Sequence, residues 1–128
     1  MKILDSKFVR GFIKMANDGY LQGWHERNGG NLSYRLKPEE VEMIRPRLNE
    51  SGEWKPIGTE VPGLAGEFFL VTGSGKYFRN IIEDPEVCLA IIELDDKGVN
   101  YRVRWGLVEG GRPTRELPTH LMNHEVKK

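Results

Sequence analysis

Apolar positions near the start of the chain follow one helical face. Phe8, Val9, Phe12, Ile13, Ala16 and Tyr20 fall at i, i+1, i+4, i+5, i+8 and i+12, which predicts a core-facing amphipathic helix capped by Asp5 or Ser6. The Asn-Gly-Gly of residues 24–30, WHERNGG, breaks that periodicity. Residues 31–36, NLSYRL, alternate as a strand does. Residues 37–66 are polar, carry Pro38, Pro46, Pro56 and Pro62, and read as a long loop or insertion with a short helix near residues 39–44. Residues 68–72, FFLVT, form a short apolar run expected to be a buried strand. A helical turn at 77–82 and a helix begun by Asp84-Pro85 are expected next. Residues 88–94 and 99–107 then predict an antiparallel hairpin about the turn Asp95-Asp96-Lys97-Gly98. In its second strand Val99, Tyr101, Val103, Trp105 and Leu107 are expected on one face. Arg102 and Arg104 are expected on a solvated or ligand-facing side. Thr114 can cap a last helix with Leu117, Leu121 and His124 on one stripe, Pro118 being tolerated in its first turn.

The order helix–strand–loop–strand–helix–hairpin–helix predicts an α/β (α+β-like) fold. Its central sheet is mixed and mostly antiparallel, with helices packed on its faces. The length of 128 residues predicts a single domain. Nineteen Lys and Arg balance nineteen Asp and Glu, so the chain lacks the basic excess of a nonspecific nucleic-acid or anionic-membrane binder. One cysteine, Cys88, excludes an intrachain disulfide framework and a cysteine-based zinc site. No run approaches a membrane span and the start lacks a signal-peptide pattern, so a cytoplasmic setting is expected. Apolar content of 38% is lean for a self-sufficient core, as in a chain that leans on a partner or on further sequence.

Three polar motifs carry candidate chemistry. Asn28-Gly29-Gly30-Asn31 is either a plain tight turn or an anion nest, in which glycine amides approach a phosphate unobstructed and asparagines add neutral donors. Thr72-Gly73-Ser74-Gly75-Lys76 departs from the Walker spacing but offers amides, hydroxyls and a lysine after a strand; a strand-ending turn fits it equally. In Thr114-Arg115-Glu116-Leu117-Pro118-Thr119-His120, Glu116 is either a dipole-complementing first-turn residue or, if desolvated, a general base. His120 and His124 share the i, i+4 spacing, but a metal would need a third ligand, and His25 is the one remaining histidine. The three tryptophans read as packing residues.

In this order the motifs resemble the class II aldolase/adducin superfamily over nearly the whole chain, least at 37–66. The stretches that carry the likeness are GWHERNGGNLS at 23–33, VTGSGKYFRN at 71–80, Trp105-Gly106-Leu107 and PTRELPTH at 113–120. The Trp-x-Glu-Arg-Asn-Gly-Gly-Asn and Glu-Leu-Pro-x-His stretches are similar to the rhamnulose-phosphate aldolase branch. The resemblance implies retro-aldol cleavage of L-rhamnulose 1-phosphate to dihydroxyacetone phosphate and L-lactaldehyde, with Zn2+ as cofactor. It implies Glu116 as the acid/base residue, Asn28, Gly29, Asn31, Ser74 and Gly75 as the phosphate and substrate site, and a homotetramer. Arg115 replaces the small hydroxyl residue usual in the family; a guanidinium there either adds to phosphate binding or fills the pocket. The family's histidine zinc ligands are expected beyond Lys128. This chain would then be an N-terminal portion with no metal ligands of its own, inactive alone. The alternatives are a fuculose-phosphate aldolase, a ribulose-phosphate epimerase or a dehydratase of the same superfamily, or a non-catalytic phosphate-binding or oligomerising module.

Overall fold

A strand that is apolar on both sides must sit inside a sheet covered on both faces, and residues 68–72 obey that rule. In the computed structural model β3 (Phe68–Thr72) is buried at every position. The structure describes residues 3, 6–21, 33–49, 52–72, 89–106, 113 and 117–126, without the side chains of 15–21, 119, 120 and 123. The predicted turn at 77–82 and helix at Asp84-Pro85 lie outside them.

The remaining elements are α1 (Lys7–Leu21), β1 (Ser33–Arg35), α2 (Pro38–Ile44), β2 (Lys55–Pro56), β4 (Leu89–Leu94), β5 (Asn100–Gly106) and α3 (Leu117–Val126). Single 3-10 turns cover Arg45–Arg47 and Pro62–Leu64. Among the described residues five strands form one sheet in the order β1-β3-β4-β5-β2, every pairing antiparallel. The fold is thus the α/β arrangement the pattern predicts.

Each face of the sheet carries its own core. Phe68, Leu70, Leu89 and Ile91 pack against Phe8, Val9 and Phe12 of α1 and Val41 and Ile44 of α2. Phe69, Val71, Ala90 and Ile92 pack against Leu117 and Leu121 of α3 and against Ile57, Val61 and Leu64. Residues 37–66 therefore feed both cores despite their polar composition. Their apolar residues are spaced singly between prolines and charges, which hides them from a periodicity search.

The start of α2 is tied to β1. The Lys37 backbone N–H donates to Glu40 Oε1 at 2.8 Å, satisfying a helix-start amide. The Tyr34 hydroxyl donates to the same carboxylate at 2.8 and 2.9 Å. Desolvation first, and Glu40 second, push the Tyr34 hydroxyl up to about 12.

The second hairpin strand departs from simple alternation. Ile92 pairs with Val103 but Ile91 pairs with Trp105, so Arg104 is an extra residue on β5. This bulge carries Trp105 to the α1 side of the sheet, while Tyr101 and Val103 stay on the α3 side. The expectation that all three share a face is corrected by that one inserted position. Arg104 is also not solvated: it is 8% exposed. It donates to Glu93 Oε1 and to the Asn49 carbonyl oxygen, each at 2.5 Å. Arg102 shares Glu93 at 2.8 Å and lies 4.6 Å from the Trp54 ring centroid.

The β4–β5 turn holds a tightly constrained glycine. Gly98 has φ +70°, and a Cβ there would lie 2.4 Å from the Val61 carbonyl oxygen. Its own carbonyl accepts from the Val61 N–H at 2.9 Å, which explains the close approach. Gly11 in α1 is the contrasting case, with open space around a would-be Cβ. Gly98→Ala is expected to destabilise the fold by about 2 kcal/mol or more, through strain plus displacement of the Val61 turn. Gly11→Ala is expected to stabilise it by about 0.5–1 kcal/mol. Urea unfolding of both variants against the parent chain measures the two opposite shifts.

Candidate functional site

Antiparallel register fixes which strand ends meet. Ser33 pairs with Val71, Thr72 with Leu89, and Ala90 with Gly106. The start of β1, the end of β3, the start of β4 and the end of β5 therefore lie at one end of the sheet. Asn31 stands two positions before Ser33, and Gly73 follows Thr72. Both glycine motifs thus join the described fold at neighbouring strand ends. Asn28, Gly29, Asn31, Ser74, Gly75, Arg115 and Glu116 themselves lie outside the described residues.

The third motif reaches the sheet through α3. Leu117, the residue after Glu116, begins that helix and is buried among Phe69, Val71 and Leu121. Further along, His124 Nε2 lies 2.9 Å from Ser33 Oγ, within hydrogen-bond distance. The His124 ring also packs on Phe69, with centroids 5.1 Å apart and planes inclined at 54°. One imidazole therefore touches both β1 and β3. Glu125 Oε2 accepts from the Gly63 N–H at 2.8 Å, pinning the helix to the Pro62–Leu64 turn. The Leu117–Leu121–His124 stripe signalled a sheet-facing histidine, but no local pattern identified Ser33 as its partner.

The opposite end of the sheet has a different character. A hollow of about 230 Å³ lies against Leu36, Val41, Arg45 and Phe68. A wider one of about 600 Å³ borders Trp54, Glu93, Asp95 and Lys97. Arg35 clamps Glu67 with both nitrogens of a bidentate pair, Nε lying 2.6 Å from Oε1. Among the described residues no three His, Cys, Asp or Glu side chains gather as a metal ion would need. The described part thus supplies no ligand set for the zinc implied by the resemblance.

Residues 10–128 match the class II aldolase and adducin N-terminal domain. The chain belongs to that family. It is 46% identical over 125 residues to rhamnulose-1-phosphate aldolase of Mannheimia succiniciproducens, a match covering 98% of this chain and 46% of the relative. It is 44% identical over 125 residues to the protein of that name in Pectobacterium atrosepticum, again covering 98% and 46%. A solved sugar-phosphate aldolase from Thermotoga maritima superposes with TM-score 0.69 at 29% identity, covering 91% of this chain and 45% of that one. The chain spans about half the length of the relatives it matches. Among the described residues no helix is long and apolar enough to cross a membrane.

Asp95 dominates the electrostatics of the β4–β5 turn. Desolvation opposes its charge, but the Val99 and Lys97 N–H groups donate to Oδ1 at 2.9 and 3.2 Å and Asn100 Nδ2 to Oδ2 at 2.9 Å. These bonds, with one from the Asn100 backbone, prevail and lower the carboxyl from 3.8 to about 2. A depressed folded pKa contributes stability that is present above the unfolded value and lost as pH falls through the folded one. Asp95→Ala is expected to cost about 1–3 kcal/mol near neutrality. The gap between variant and parent should narrow as pH is lowered from about 4 toward 2, read by urea unfolding at each pH.

Proposed function

We propose that this chain supplies the phosphate cradle and the acid/base carboxylate of an enzyme that cleaves L-rhamnulose 1-phosphate to dihydroxyacetone phosphate and L-lactaldehyde. The observation that carries the reading is the likeness to rhamnulose-1-phosphate aldolases across nearly the whole chain. The convergence of strand ends described above supports it, since motifs distant in sequence adjoin one region of the fold.

In this reading Asn28, Gly29, Asn31, Ser74 and Gly75 hold the substrate phosphate with neutral N–H and hydroxyl dipoles, which suit a dianion better than any nearby acid. Arg115 adds a fixed positive charge to that site. Cleavage removes a proton from the substrate hydroxyl, breaks the carbon–carbon bond between the carbons α and β to the ketone, and leaves an enediolate. Glu116 carries the proton exchanged at the α carbon: it donates in the cleavage direction and accepts in the aldol direction. Zinc, for which the described side chains gather no ligand set, would supply a Lewis acid for the substrate oxygens. A cytoplasmic homotetramer belongs to the same proposal.

The intact protein, assayed by coupling dihydroxyacetone phosphate release to a dehydrogenase, is expected to turn over L-rhamnulose 1-phosphate in preference to fuculose 1-phosphate and ribulose 5-phosphate. Glu116→Gln should lower kcat by about 10²–10⁴-fold, and Asn31→Ala should act mainly on KM. The 128-residue chain alone with added zinc should show little or no turnover. Turnover of ribulose 5-phosphate instead would favour an epimerase, and phosphate binding without turnover by the intact protein a non-catalytic module.

A further inference from the structure

His124 stands eight positions after Glu116 in sequence and has no part in the chemistry proposed above. Yet it is the point at which α3 meets two strands at once. Its Nε2 lies 2.9 Å from Ser33 Oγ at the start of β1. Its ring packs on Phe69 of β3 at 5.1 Å. Both strands run directly into the glycine motifs, and α3 begins directly after Glu116.

We propose that His124 is a positioning residue that fixes α3 against β1 and β3, and so sets the placement of Glu116 relative to the phosphate cradle. This rests on the aldolase reading. Three features favour registration over mere packing. The contact to Ser33 is polar and directional, so it holds a helix against sliding in a way that an apolar contact does not. Leu117 and Leu121 already supply buried apolar area on the same stripe, at 3% and 0% exposure. Glu125 holds the adjacent flank of the helix to the Gly63 N–H, so α3 is gripped by polar contacts at two neighbouring residues. From Leu117 to His124 is about 10 Å along the axis at 1.5 Å per residue. A small shift or tilt at the clamp is thereby carried to the helix start. Reaction rates are steep in such displacements, about 10²-fold for 1 Å of misplacement.

The test uses the intact protein with His124→Ala, His124→Gln, Ser33→Ala and the Ser33→Ala/His124→Ala double variant, reading kcat, KM and thermal melting for each. Gln offers a polar atom near the position of Nε2. Expected is a loss in kcat of about tenfold or more for His124→Ala, with KM changed by less than about threefold. Ser33→Ala should match it, the double variant should be no worse than either single one, and Gln should recover most of the rate. An active parent whose His124→Ala form keeps its kcat overturns the clamp and leaves the aldolase reading standing. Losses that follow the melting temperature alone, with Gln no better than Ala, overturn it too. A parent inert toward every ketose phosphate refutes the aldolase reading itself, and the clamp with it.

Discussion

The double-sided burial of β3 is the constraint on which the other elements depend. Residues 68–72 alternate between two cores, with Phe68 and Leu70 toward α1 and α2, and Phe69 and Val71 toward α3. Such a strand needs neighbours on both edges to pair its backbone and layers on both faces to cover its side chains. β1 and β4 provide the first, and the helices with the Pro62–Leu64 turn provide the second. The register of both pairings is antiparallel. It brings the end of β3 beside the start of β1, where the two glycine motifs attach.

Glu93 is held by two arginines, whereas Glu40, Asp95 and Glu125 accept from neutral N–H and O–H groups. Glu93 sits on the sheet face toward α1, where an unpaired carboxylate would be costly, and two arginines share it. Arg104 itself is satisfied at its other edge by the Asn49 carbonyl, so the excursion after α2 is fastened to β5 by a main-chain oxygen. Arg104 lies two residues beyond Arg102, so alternation itself brings the second guanidinium to the face of Glu93, and the bulge then carries Trp105 to that face as well.

The residue pattern revealed the elements better than their partners. Helical periodicity located α1, and the apolar run located β3, because each signal is local. The Asp95–Gly98 turn was equally legible, since a glycine at φ +70° closes it. Strict alternation failed at β5, where a single inserted residue reverses the side-chain order and only cross-strand pairing reveals it. Residues 37–66 looked like a loop because Ile57, Val61 and Leu64 are spread among polar neighbours, yet all three are buried by the far face of the sheet. At the candidate site the motifs were visible as glycine-rich breaks and a carboxylate before a helix. The Ser33–His124 contact was not, because it joins residues 91 positions apart.

The proposed phosphate cradle draws on glycine, the residue that restricts the backbone least. Its precision must come from what the loops are attached to. Here the attachments are the ends of neighbouring strands whose residues Leu70, Val71 and Leu89 are wholly buried, together with a helix held by Leu121. Interdigitated apolar side chains resist displacement of the layers, and a directional polar contact adds a geometric requirement of its own. The serine–histidine contact at the edge of this interface adds such a requirement, as does the bond from the Gly63 N–H to Glu125. The apolar residues hold the layers together, and in the proposed clamp the polar pair sets their register.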